Sequence, residues 1–143
     1  MPHDPELVAE TQGWFQRAAH DLGAGAADLA ANPPFTGDAV FHAQQAAEKS
    51  MKGYLTWHSR VFRKTHNLTE LGGMCIDVDP TLEPLLLRAA HLTDYAWKYR
   101  YPGEPEEPSR KEAESALELA RAVYEGVLDR LPVDVRPVPR AEG

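Results

Sequence analysis

The sequence predicts an all-α fold: an up-and-down antiparallel four-helix bundle with a short extra helical turn after the second helix. Three observations lead there. Apolar residues recur at a helical period in four long segments. Breaks rich in Pro and Gly separate those segments. No stretch alternates apolar and polar residues for long enough to read as a strand.

The first helix starts at Pro5, where Pro suits the first helical position and Asp4 can cap it. Val8, Phe15, Ala18, Leu22 and Leu29 form its stripe, and Gly13, Gly23 and Gly25 weaken it by roughly 1 kcal/mol each against Ala. "NPPFTGD" (Asn32–Asp38) stops it. The second helix is expected from Asp38 to Ser59, and "RVFRKTH" then breaks the pattern. "NLTELGGM" suggests a short turn ended by Gly72-Gly73. "DVDP" opens the third helix, expected to run to about Tyr101 with Pro84 in its first turn and a stripe of Leu85, Ala89, Leu92, Ala96 and Tyr99. "PGEPEEP" ends it. "SRKE" reads as a capping box, Ser109 at the cap and Glu112 three residues on. The fourth helix carries Ala113, Ala116, Leu117, Ala120, Val123, Tyr124, Val127, Leu128 and Leu131 on one face. Residues 1–131 thus form one helical domain. The Pro-rich tail, residues 132–143, has no stripe and is expected to be extended or disordered.

At 143 residues the chain is one domain with room for a core. No apolar run approaches the ~20 residues of a membrane span, and the N-terminus lacks the basic and apolar regions of a secretory signal. The single cysteine, Cys75, cannot form an internal disulfide, so a reducing cytoplasm is the expected compartment. No His or Cys spacing suggests a metal site, no phosphate-binding Gly-rich loop is present, and no cofactor is expected. A net charge of −7 argues against general binding to a nucleic-acid backbone. The densest basic stretch is "HSRVFRKTH", with Arg60, Arg63 and Lys64.

The second helix carries the most information. On a helical wheel, Gln44, Gln45, Glu48, Lys49 and Lys52 share one wedge with Phe41 and Thr56, and the rest of the circumference is apolar or small. An apolar arc that wide needs two neighbours: two bundle partners, or one partner and a second subunit. A homodimer is the expectation. The wedge reads either as a solvated face with a Glu48–Lys52 pair or as a polar groove into which other groups point. Arg100, at the end of the third helix, is a candidate to reach Glu48.

"AQQAAEKSMKGYL", then "THNLTEL", then "LTDYAWKYRYPGE" and a capped last helix together resemble the HEPN domain (higher eukaryotes and prokaryotes nucleotide-binding) over about Glu6 to Leu131. The resemblance implies a helical bundle, often dimeric, often encoded beside or fused to a minimal nucleotidyltransferase. Some members cleave RNA as toxins or bind nucleotides. The ribonuclease members carry an Arg followed after a short spacer by a His near the start of the last helix. Arg100 occupies the matching region, but Pro105, Glu106 and Glu107 stand where the His would fall. An Arg60-x5-His66 pair occurs in the loop after the second helix, where His66 would be general acid/base and Arg60 a phosphate clamp. Arg100, Tyr101, Lys49 and Lys52 are the candidates for an anion or nucleotide, with Tyr101 stacking. Arg100 also suits a structural role at a helix C-terminus. His20, His42, His58 and His91 read as surface or interfacial, and Trp14, Trp57 and Trp97 as core or interface anchors. The expectation is an accessory or antitoxin/toxin-type partner of a minimal nucleotidyltransferase, with nucleotide or RNA as a further ligand. The alternative is a metal-independent ribonuclease.

Overall fold

A computed structural model describes residues 3–103 and 106–137. They form five helices and no strand: α1 (Pro5–Ala30), α2 (Thr36–Trp57), α3 (Leu68–Val78), α4 (Glu83–Ala89) and α5 (Arg110–Leu128), with 3-10 turns at Pro80–Leu82, Ala90–Ala96 and Val133–Val135.

α1 begins as expected, with the Asp4 carboxylate accepting from the Glu6 amide at 3.0 Å. It runs antiparallel to α2: Gly25 lies beside Ala39 and His42, while Trp14 and Phe15 lie beside Gly53. α5 packs antiparallel to α1, Leu117 reaching Gly25 and Tyr124 meeting the Phe15 ring edge-on at 5.9 Å. α2 is the central element, since fifteen of its 22 residues are buried. α1, α5, α3 and the 3-10 segment after α4 all pack against it. The wide apolar arc is therefore satisfied within one chain, and the inference from that arc to a second subunit falls away.

Two helices differ from expectation. α3 runs straight through Gly72-Gly73 to Val78. Leu68, Leu71 and Cys75 are fully buried, and Gly72 packs against Leu86 and Met51. Burial of that face outweighs the glycine cost, which is only about 1 kcal/mol per residue. The Asn67 side chain caps this helix by accepting from the Thr69 and Glu70 amides. The third long helix is not continuous. α4 tightens after Ala89 into 3-10 turns, and the buried residues Leu86, Ala89 and Leu92 explain why. A spacing of three keeps them aligned on one face of a 3-10 helix but drifts around an α-helix. The chain then turns at Tyr99, whose φ of 67° is left-handed.

The start of α5 departs in detail. Ser109 accepts from the Glu112 amide at 3.0 Å, but the Glu112 carboxylate does not complete the box. It takes the Tyr95 hydroxyl instead, at 2.5 Å. The expectation for the tail is corrected at its start. Val135 is fully buried, and the Gln12 side-chain amide donates to the carbonyls of Asp134 and Arg136 at 3.2 Å each. Residues 138–143 lie outside the described part.

The α1–α2 seam yields a paired prediction. A Cβ at Gly53 would meet Phe15 at 2.8 Å and Trp14 at 3.0 Å, whereas one at Gly13 meets nothing within 4 Å. Gly53→Ala should destabilise by about 1–3 kcal/mol through overpacking. Gly13→Ala should stabilise by up to ~1 kcal/mol. Urea melts of the two variants check both signs.

Candidate functional site

Gln44, Glu48 and Lys52 recur at intervals of four on α2, so they stack along one face of the helix. Their exposures are 0%, 4% and 8%, so this face is not solvated. The chain after α2 folds back over it. Gln44 Nε2 donates to the His66 carbonyl at 3.0 Å, and Lys52 Nζ lies 5.8 Å from the ring centres of both Trp14 and Phe62.

Glu48 is the hub. Its Oε1 accepts from His66 Nδ1 at 2.7 Å and from Gln44 Nε2 at 3.2 Å, and its Oε2 accepts from Lys52 Nζ at 3.1 Å. Gln45 Nε2 donates to Gln44 Oε1 at 2.7 Å, extending the relay by one residue. A buried carboxylate is costly unless its lone pairs are filled. Here two donors come from its own helix and one from a loop eighteen residues on. The wedge is thus buried and internally hydrogen-bonded rather than a solvated face.

The expected Arg100–Glu48 contact does not form. Arg100 Nη1 bonds Asp38 Oδ1 at 3.1 Å, and its guanidinium lies over the Phe41 ring at 3.9 Å. Asp38 precedes Glu48 by ten residues, about 15 Å along the helix. Glu48 is served instead by Lys52 and His66, which lie closer in sequence and need no long loop to reach it.

The four candidate anion ligands are not brought together. Lys49 points to α1 and bonds Asp21 at 2.6 Å, and Lys52 is held by Glu48. Arg100 is a full three turns away, and Tyr101 beside it is 65% exposed. The Arg60–His66 pair is likewise separated in role. His66 is engaged with Glu48, whereas the charge of exposed Arg60 acts on His58. Sequence reasoning missed the acidic partners Asp21 and Asp38, because no helical spacing links residues on different elements. His42, read as interfacial, bonds Asp28 of α1 at 2.7 Å.

A cleft of about 300 Å³ opens at the start of α2, lined by Pro34, Phe35, Thr36, Gly37, Asp38, Tyr99 and Glu107. The Glu107 carboxylate sits against Gly37, where a side chain on residue 37 would collide with it. An acid there complements the positive end of the α2 dipole. Burial, and then the nearby Glu112, push the Tyr95 hydroxyl well above the ordinary tyrosine range. Burial pushes the Cys75 thiol up to about 12, so it is not a nucleophile at neutral pH. Among the described residues no group of three or more His, Cys, Asp or Glu could hold a metal ion, and no helix is long and apolar enough to cross a membrane.

Comparison with known proteins adds one finding. A family model described as HEPN domain matches residues 11–130. No curated protein and no solved structure matches the chain.

Two predictions follow from this geometry. Glu48→Ala leaves the buried Lys52 charge uncompensated and should destabilise by about 3 kcal/mol. Arg100→Ala removes an exposed pair and should cost less than about 1 kcal/mol. The two should add in a urea-melt cycle, because the residues do not meet; coupling between them would contradict this placement. The second concerns His58. Burial, and next the Arg60 charge, lower its pKa against the opposing pull of Asp79, and its Nε2 is buried without a partner. The unfolded chain therefore binds this proton more readily than the folded one. The stability is fully present above the unfolded value of about 6.5 and declines as pH falls below it. Melts across that range should show the decline, and His58→Gln should shrink the slope. An unchanged slope would remove His58 from the account.

Proposed function

The chain belongs to the HEPN domain family, and on that premise we propose that it is a non-catalytic accessory module of antitoxin/toxin type that works with a minimal nucleotidyltransferase. The observation that carries this reading is the state of Arg100. Its charge is taken by Asp38, its face is laid on Phe41, and Glu107 lines the same cleft. Cleaving an RNA phosphodiester needs a cation for the phosphate and a group that moves a proton. At this end of the molecule Asp38 neutralises the cation, and Glu107 adds a carboxylate that repels the substrate backbone. The sequence places Glu106 and Glu107 where the family's ribonucleases need a His.

The homodimer implied by the family resemblance and a cytoplasmic location belong to this proposal. Exposed Phe35, Trp97 and Tyr101 provide apolar surface for a protein partner. Exposed Tyr101 beside Arg100 is where a nucleotide would stack, and its phosphate would have to displace Asp38. Lys49 and Lys52, each already paired, take no part in that. The ribonuclease alternative rests on His66 alone, since Arg60 is not joined to it.

Incubation of the purified protein with single-stranded RNA tests the reading. Cleavage is expected at the buffer rate, for the natural chain as for Arg100→Ala and His66→Ala. Cleavage above background that either substitution abolishes would replace this proposal with the ribonuclease.

A further inference from the structure

His66 differs from an ordinary surface histidine in how it is held. Its side chain is 69% exposed, yet its ring and its backbone are both anchored to buried groups. Nδ1 bonds the Glu48 carboxylate, and the backbone carbonyl accepts from the fully buried Gln44. Three buried polar residues of α2 thus orient one imidazole that lies in water. Holding exposed surface at the cost of buried polar groups stabilises little, but it positions a group well.

The donors around Glu48 also fix the tautomer. Gln44 offers an amide N–H and Lys52 an ammonium N–H, so the carboxylate acts as an acceptor towards both. Nδ1 of His66 must then carry the proton in the neutral ring. Nε2, on the solvent side, is left with a free lone pair. The same loop carries Arg60 and Lys64 as exposed cations, with Arg63 paired to Glu70 at 2.7 Å, in a chain whose net charge is −7.

We propose that His66 is a phosphoryl-acceptor site, whose Nε2 attacks the phosphorus of a small, anionic, activated phosphoryl donor. The Nε2–P bond forms as the bond from phosphorus to the leaving group breaks. The leaving group departs with that electron pair and takes a proton from water. Nδ1 keeps its proton, and the positive charge arising on the ring faces the Glu48 carboxylate. High exposure favours this role over general-base catalysis, which gains from a site that excludes water. An acceptor needs the opposite: a ring that a donor can approach in line.

Potassium phosphoramidate is the probe, with phosphorus NMR and peptide mass spectrometry as readouts on the full chain. His20 and His91 are exposed in the same molecule and serve as internal references. His66 should be labelled at Nε2 several-fold faster than either. Glu48→Gln should bring its rate down to theirs. Labelling in urea, where the relay is absent, should remove the difference too, which keeps the test decisive if that variant folds poorly. Equal labelling of the three histidines in the folded natural chain, or labelling of His66 at Nδ1, would overturn the proposal.

Discussion

A single buried carboxylate organises this molecule. Glu48 lies in the middle of the most buried helix and receives an ammonium, an amide and an imidazole N–H. Stripping that carboxylate of its charged partner at such depth costs roughly 3–5 kcal/mol, a large part of a domain's margin of stability. The chain after α2 must therefore return across the polar face, because the third donor resides there. That return sets where α3 begins: Asn67 caps it one residue after His66, and the Leu68 amide is tied to Thr93.

The same helix explains the packing. α2 presents Ala39, Ala43, Ala46, Ala47 and Ser50, small residues that admit neighbours on several sides at close range. Gly53 and Gly25 bring the α1 and α2 backbones together at opposite ends of the seam. Polar side chains of α1 and α2 are likewise paired across it, Lys49 with Asp21 and His42 with Asp28. A helix buried on so many sides can carry a polar stripe only if that stripe is satisfied internally, and the relay from Gln45 to Lys52 does this.

Much of this was legible in the sequence. The all-α class, the caps at Asp4 and Ser109 and the α5 stripe follow from local rules, and the structure keeps them. The unusual clustering of Gln44, Gln45, Glu48 and Lys52 was visible as well. Its partner was not, because a loop histidine bears no periodic relation to a helix. The errors have a common source. Gly72-Gly73 looked like a stop because propensity is local, whereas burial of Leu71 and Cys75 is tertiary. The third helix looked continuous because Leu85, Ala89, Leu92 and Ala96 fit an α period, yet the buried set Leu86, Ala89 and Leu92 fits a 3-10 period as well. Arg100 was assigned to the wrong carboxylate of α2, since spacing along one helix does not say which turn of another it faces.

The tautomer of His66 tests the central claim most directly. Long-range nitrogen–proton NMR of the neutral imidazole reports which ring nitrogen bears the proton. The account requires the Nδ1–H form for His66, the less common one for a free histidine, and a return toward the Nε2–H form in Glu48→Gln. Finding Nε2–H at His66 in the natural chain would mean that Glu48 does not hold the ring, and the organisation described for α2 would fail with it.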